Sequence, residues 1–145
     1  MEGKKAVIYC RVSTAGQAEQ GVSLEAQEER LRAYCQMQGL DVEAVLIEEG
    51  VSATKPLHAR PMGSKLVEMV KSGTVQHVVA LKLDRLFRSS VDALSVTSEW
   101  DKAGVALHLV DMGGQSVNTS SAMGRMMLTM MAGFAQFERD LISER

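Results

Sequence analysis

Ala6-Val7-Ile8-Tyr9-Cys10-Arg11-Val12-Ser13-Thr14-Ala15-Gly16-Gln17 holds the transition on which the fold turns. Its first half is largely apolar, contains no Gly or Pro, and follows closely on a charged N-terminus. Such a run predicts a strand buried on both faces, as in a parallel sheet. Its second half turns polar at once with Arg11, Ser13, Thr14 and Gln17, and Gly16 predicts a turn. A cation, hydroxyls and an amide at the C-terminal end of a buried strand stand where open α/β sheets hold ligands. The same residues also suit an ordinary strand-to-helix loop whose Ser and Thr make local turns.

Outward from that stretch the chain alternates. Ser23 predicts a helix cap, with Leu24, Leu31, Tyr34 and Cys35 on one helical face and Gly39 as the stop. Asp41 to Ile47 reads as a second strand, followed by a charged loop from Glu48 to Arg60. Pro61 opens a helix faced by Leu66, Met69 and Val70 and closed by Gly73. Val75 to Leu83 reads as a third strand, and Ser89 with Asp92 caps a helix reaching about Ala103. Val105 to Val110 is a fourth strand, and Gln115 to Asn118 a short edge strand. The order predicts an α/β fold: a mostly parallel four- to five-stranded sheet, helices on both faces, and a long C-terminal helix.

That last helix begins at Ala122. Met123, Met126, Met127, Met130, Met131, Phe134, Phe137 and Leu141 recur at steps of three and four, a wide apolar stripe. It continues to Arg145 without a cap, Gly or Pro at its end, so the sequence reads as a fragment cut inside a helix. The expected division is a catalytic unit over 1–120 and the start of an oligomerisation helix over 121–145.

At 145 residues the chain is one domain's worth, with a net charge of −2 and a pI of about 5.9. That balance argues against a broad basic surface for non-specific nucleic-acid binding, while leaving room for a local cluster of Arg. No stretch has the length of a membrane span and the N-terminus lacks a signal-peptide layout. Cys10 and Cys35 are not at metal spacing and read as reduced, buried thiols of a cytoplasmic protein.

In a parallel sheet all strand C-termini share one edge. The first strand brings Arg11, Ser13 and Gln17 there, the second loop can bring Arg60, and the third strand brings Lys82, Asp84, Arg85 and Arg88. Crowded cations repel unless an anion sits among them. Phosphate suits, because guanidinium binds its oxygens in a bidentate fork. The alternative is a surface ion-pair network with Glu48, Glu49 and Asp84. Walker A, Gly-x-Gly-x-x-Gly and Gly-x-Ser-x-Gly patterns are absent, as is metal-ligand spacing. His58, His77 and His108 make no convincing triad. A serine served by several Arg suits attack on a phosphate diester, with catalysis by charge stabilisation and positioning.

Tyr9-Cys10-Arg11-Val12-Ser13-Thr14 with Gln17 resembles the nucleophile motif of the serine site-specific recombinases, the family of resolvases, DNA invertases and large phage integrases. Lys82-Leu83-Asp84-Arg85-Leu86-Phe87-Arg88-Ser89 resembles its second motif, and Phe134 to Arg139 through Arg145 its long helix. Gly21 to Gln27 and the long loop to Arg60-Pro61 look most like the large integrase branch. Phe87 departs from the family pattern, in which a small residue is frequent at that position.

The resemblance implies that Ser13 is the nucleophile, becoming joined to a 5′ DNA phosphate and releasing a 3′ hydroxyl. Arg11, Arg60, Arg85 and Arg88 would hold the phosphate, and Asp84 would orient Arg or take part in proton transfer. Gln17 and Lys82 would bind phosphate or support the site. Met123, Met127, Met130, Met131, Phe134, Phe137 and Leu141 would form an oligomer interface. It implies no metal or other cofactor, a homodimer that becomes a tetramer when active, and a cytoplasmic, nucleoid-associated location. DNA would be bound at specific sites, mainly through segments beyond Arg145. The reading outside this family is a non-enzymatic phosphate- or nucleotide-binding regulatory module.

Overall fold

The computed structural model describes residues 3–12, 23–51, 54–112 and 115–143. Ser13 and Gln17 lie outside the described residues. The elements run β1 (Lys5–Val12), α1 (Leu24–Gln38), β2 (Asp41–Glu49), a 3₁₀ turn (Leu57–Ala59), α2 (Pro61–Lys71), β3 (His77–Ala80), α3 (Leu83–Leu86), α4 (Ser90–Lys102), β4 (Ala106–Met112), β5 (Gln115–Asn118) and α5 (Ala122–Ser143). The sheet order is β2-β1-β3-β4-β5, with the first four strands parallel and β5 antiparallel at the edge. β1 is an interior strand, with β2 and β3 on either side and helices over both of its faces, which is why its sequence is apolar on both sides.

Side-chain alternation along β1 builds two cores. Val7 and Tyr9 face the layer of α2, α4 and α5, with Leu66, Val70, Ala93, Trp100 and Leu128 among the residues packed there. Ala6, Ile8 and Cys10 face α1, against Leu31, Tyr34 and Cys35. Helices therefore cover both faces of a mostly parallel sheet, as the sequence predicts. Both cysteines are buried free thiols.

The caps are where the sequence places them. Ser23 accepts the amide of Ala26, and Gly39 takes the left-handed conformation at φ 70° that ends α1. Ser89 accepts the amide of Asp92, whose carboxylate accepts the Arg88 amide in return. Two boundaries differ. The third strand is only four residues long, and Leu83–Leu86 forms a single helical turn. Leu86 is buried there and Leu83 packs against the same core, which a continued strand, alternating its faces, could not achieve. β2 runs on to Glu49, carrying Glu48 inward.

Phe87 points into the molecule, 4% exposed, with its ring 6.0 Å from that of Trp100. α5 packs on α4 and β5 through Leu128 and Ala132, with Met127 and Met131 partly buried against the core. Among the described residues, no helix is long and apolar enough to cross a membrane.

Candidate active site

The C-terminal ends of β1 and β2 and the segment after β3 converge. Arg11 and Glu48 are register partners on adjacent strands. Arg11, on the same face as Val7 and Tyr9, donates from Nη1 to the Val51 carbonyl at 2.9 Å and from Nη2 to the Asp84 carbonyl at 3.1 Å. One guanidinium thus ties the loop after β2 to the turn after β3.

Arg60 precedes Pro61 at the start of α2. Its Nε donates to the Lys55 carbonyl at 3.0 Å, and its Nη1 to the Arg85 carbonyl at 2.6 Å and the Tyr9 hydroxyl at 3.1 Å. Arg85 donates to the Asp84 carboxylate at 2.8 Å. The three arginines are 2%, 0% and 0% exposed, so they form an internal cationic cluster and not a surface ion-pair network. Carbonyl dipoles and hydrogen bonds offset much of the cost of burying them. The Asp84 side chain, 52% exposed, meets the cluster from its solvent side through Arg85, while Arg88 is exposed and Lys82 partly buried.

Glu48 anchors the cluster to the fold. It is 3% exposed, and its Oε1 accepts from the Tyr9 hydroxyl at 3.1 Å, the Met62 amide at 3.1 Å and the Gly63 amide at 3.0 Å. Oε2 also lies 3.1 Å from the Met62 amide. Helix α2 has no side-chain cap from its own N-cap residue, Arg60. The carboxylate from β2 supplies that cap and meets the positive end of the helix dipole. Gly63 is needed because a Cβ there would run into the Leu57 carbonyl. Tyr9 therefore accepts from Arg60 and donates to Glu48. Burial is the main reason its pKa is pushed up to about 12, with Arg60 opposing the rise.

Of the sequence-predicted residues, Arg11, Arg60, Asp84 and Arg85 come together, while Lys82 and Arg88 flank the turn that carries Asp84 and Arg85. Tyr9 and Glu48 join the site without being predicted as site residues by the sequence. A phenol inside a strand buried on both faces must find a polar partner, and that was the available signal. His58 lines a groove of about 670 Å³ between α2 and α4, apart from the arginine contacts. Among the described residues, no group of three or more His, Cys, Asp or Glu could hold a metal ion.

Of the residues expected at an oligomer interface, Met127 and Met131 pack against this chain's own core. Met123, Met130, Phe134, Phe137 and Leu141 are 63, 64, 63, 57 and 45% exposed. The stripe is thus divided between one inward edge and one open face.

A family model described as "Resolvase, N terminal domain" matches residues 6–145. The chain is 33% identical over 138 residues to the Transposon Tn2501 resolvase of Escherichia coli, covering 94% of this chain and 64% of that protein. It is 28% identical over 137 residues to the serine recombinase PinR of Escherichia coli (strain K12), with the same coverages of 94% and 64%. It therefore spans a little under two thirds of the length of these relatives. Among solved structures, the N-terminal catalytic domain of TP901-1 integrase matches with a TM-score of 0.76 at 34% identity, over 95% of this chain and 98% of that one. A resolvase family site-specific recombinase from Streptococcus pneumoniae matches with a TM-score of 0.70 at 27% identity, over 96% and 90%.

Proposed function

The chain belongs to the resolvase N-terminal domain family, and from that premise we propose that it is the catalytic part of a serine recombinase that cuts and rejoins DNA at specific sites. The observation that carries the proposal is the buried cluster of Arg11, Arg60 and Arg85 at the end of β1. The residue directly after that strand's Val12 is Ser13.

In this reading the Ser13 oxygen attacks a DNA phosphorus. The new serine–phosphate bond forms as the bond to the 3′ oxygen breaks, leaving a 5′-phosphoserine and a free 3′ hydroxyl. Reversal by a 3′ hydroxyl rejoins the strand, and the ester retains the bond energy, so no nucleotide is consumed. Arg88 and Lys82 meet the phosphate at the rim. Arg11, Arg60 and Arg85 stabilise the charge that develops on its oxygens, acting from a site of low dielectric where such stabilisation is strong. Asp84 orients Arg85, and Gln17 supports the phosphate or its loop.

Residues 1–120 form the catalytic unit, and 121–145 begin the helix through which copies pair as dimers and then tetramers. The open face of α5 supports this part, since an exposed apolar stripe of that length suits a partner surface and Met suits a contact that repacks. The setting is cytoplasmic DNA of the nucleoid.

The test is covalent capture. Full-length protein incubated with its DNA site, in the presence of excess chelator, should yield a protein–DNA adduct mapped to Ser13 by mass spectrometry. Ser13→Ala should abolish the adduct while leaving site binding intact. An adduct of normal yield from Ser13→Ala would remove Ser13 as the nucleophile. Binding without any adduct from the parent protein would favour the non-enzymatic phosphate-binding module.

A further inference from the structure

Gly133 stands in the interior of α5, and no contact among the described residues of this chain explains it. Proline aside, glycine is the residue a helix interior tolerates least, because it has the most backbone freedom to lose. The other helix glycines have a reason on the page. Gly63 and Gly124 are sites of close approach, where a Cβ would run into the carbonyls of Leu57 and Asn118. A Cβ built on Gly133 meets nothing within 4 Å, and the residue is exposed. Its backbone is also not among the left-handed glycines, which are Gly39, Gly50, Gly73 and Gly104. The missing side chain therefore serves nothing within a single copy.

We propose that Gly133 is the point at which α5 crosses the α5 of a second copy, its bare backbone letting the two helices approach closely. The inference rests on the reading of α5 as the pairing helix and adds where the copies meet.

The surroundings of Gly133 have the shape of a crossing. Residues three and four places away on a helix are surface neighbours, so Thr129, Met130, Gln136 and Phe137 rim Gly133. The result is a hollow with backbone at its floor, and interaxial distance between packed helices is set by the side chains at the contact. Leu128 and Ala132 turn the other way and are buried against this chain's own body. The open apolar residues divide evenly about the hollow. Met123, Met126 and Met130 precede it and Phe134, Phe137 and Leu141 follow it, each between 45 and 64% exposed.

Symmetry, area and charge select a second copy as the occupant. Identical chains most often meet about a twofold axis, which presents the same patch from both sides. An axis through the middle of the stripe covers all of it on both copies, whereas an axis near either end leaves half of it in water. Gly133 lies at that middle. The six side chains, about half exposed or more, offer on the order of 600 Å² per copy and about 1,200 Å² together, the scale of a specific interface. None of the six carries a charge, so two copies of the stripe meet without repulsion.

The test reads opposite signs in two measurements on the 145-residue chain. At concentrations where sedimentation shows monomer, Gly133→Ala should raise the urea midpoint by roughly 0.3–1 M, because alanine favours the helix and its methyl enters open space. The same change should weaken self-association on the order of tenfold, because the added methyls overpack a close helix contact. Gly133→Leu widens the apolar stripe, so it would strengthen an association that used the stripe without crossing there. At a crossing it should weaken association further than Gly133→Ala does. Phe134→Glu tests the pairing helix separately. If Phe134→Glu separates the copies while either Gly133 variant associates as tightly as the parent or more tightly, the crossing is overturned and α5 stands as the contact. A parent that stays monomeric at high concentration, or a Phe134→Glu variant that associates as the parent does, overturns both. A midpoint that falls in Gly133→Ala reveals a contact within the chain and overturns the crossing as well.

Discussion

Replacing Glu48 with alanine should cost this domain a large share of its stability. The carboxylate accepts the Met62 and Gly63 amides at the start of α2 and the buried Tyr9 hydroxyl. Losing a helix N-cap costs about 1 kcal/mol, and leaving a buried hydroxyl without its acceptor about 1–3 kcal/mol. With the second helix amide counted, Glu48→Ala should lose roughly 3 kcal/mol from a total on the order of 5–15 kcal/mol. Glu48→Gln keeps one carbonyl oxygen in place but sets an amide nitrogen against a donor, so roughly 1–2 kcal/mol is expected. The readout is equilibrium urea unfolding followed by fluorescence of the single tryptophan, Trp100, which is buried against Phe87. At a slope of about 1–3 kcal/mol per molar, Glu48→Ala should lower the midpoint by roughly 1 M or more. Because Tyr9 links Glu48 to Arg60, Tyr9→Phe and Glu48→Gln should be non-additive by at least about 0.5 kcal/mol. Glu48→Ala within about 0.5 kcal/mol of the parent, or strict additivity of the pair, would refute the hub.

The arginines should separate by burial. Arg88→Ala, at an exposed position, should slow DNA cleavage by full-length protein roughly 10²–10³-fold with little change in urea midpoint. Arg60→Ala, at a fully buried position, should lose both activity and about 3 kcal/mol or more of stability; equal stability effects would contradict the placement. Stability should also fall with acid through His108, whose pKa drops from 6.5 to about 4 on burial. The unfolded chain binds the proton first, so this contribution is intact above 6.5, is lost as pH falls towards about 4, and amounts to roughly 3 kcal/mol at most. A His108→Gln variant that keeps the same acid slope as the parent would count against it. On α5, Met130→Glu and Phe134→Glu change residues 64% and 63% exposed. They should weaken self-association in sedimentation while leaving the monomer's unfolding unchanged, and a parent that stays monomeric at high concentration would count against α5 as the contact.

The element order was written locally. Ser23, Gly39, Pro61, Ser89 and Gly104 punctuate helices through bonds spanning only a few residues, and β1 announces its two-sided burial in its own composition. The arginines at the strand ends could likewise be read from position alone, because a parallel sheet gathers its C-termini on one edge. What local pattern could not decide is which cations lie inside. Arg11, Arg60 and Arg85 are buried by contacts between residues 5 to 73 apart in sequence, and a burial set by such distant neighbours leaves no periodic trace. The Tyr9–Glu48 link spans 39 residues and depends on the register of β1 against β2. The pairing of His77 with His108 depends on β3 lying beside β4. Phe87 turns inward because Leu83–Leu86 coils into a helical turn, and only the core opposite could select that turn over a longer strand. Hydrophobic period and capping chemistry act over one turn of chain, so the sequence determined the elements and the edge they share. Burial, register and the partners of each charge belong to surfaces that exist only once the layers have met.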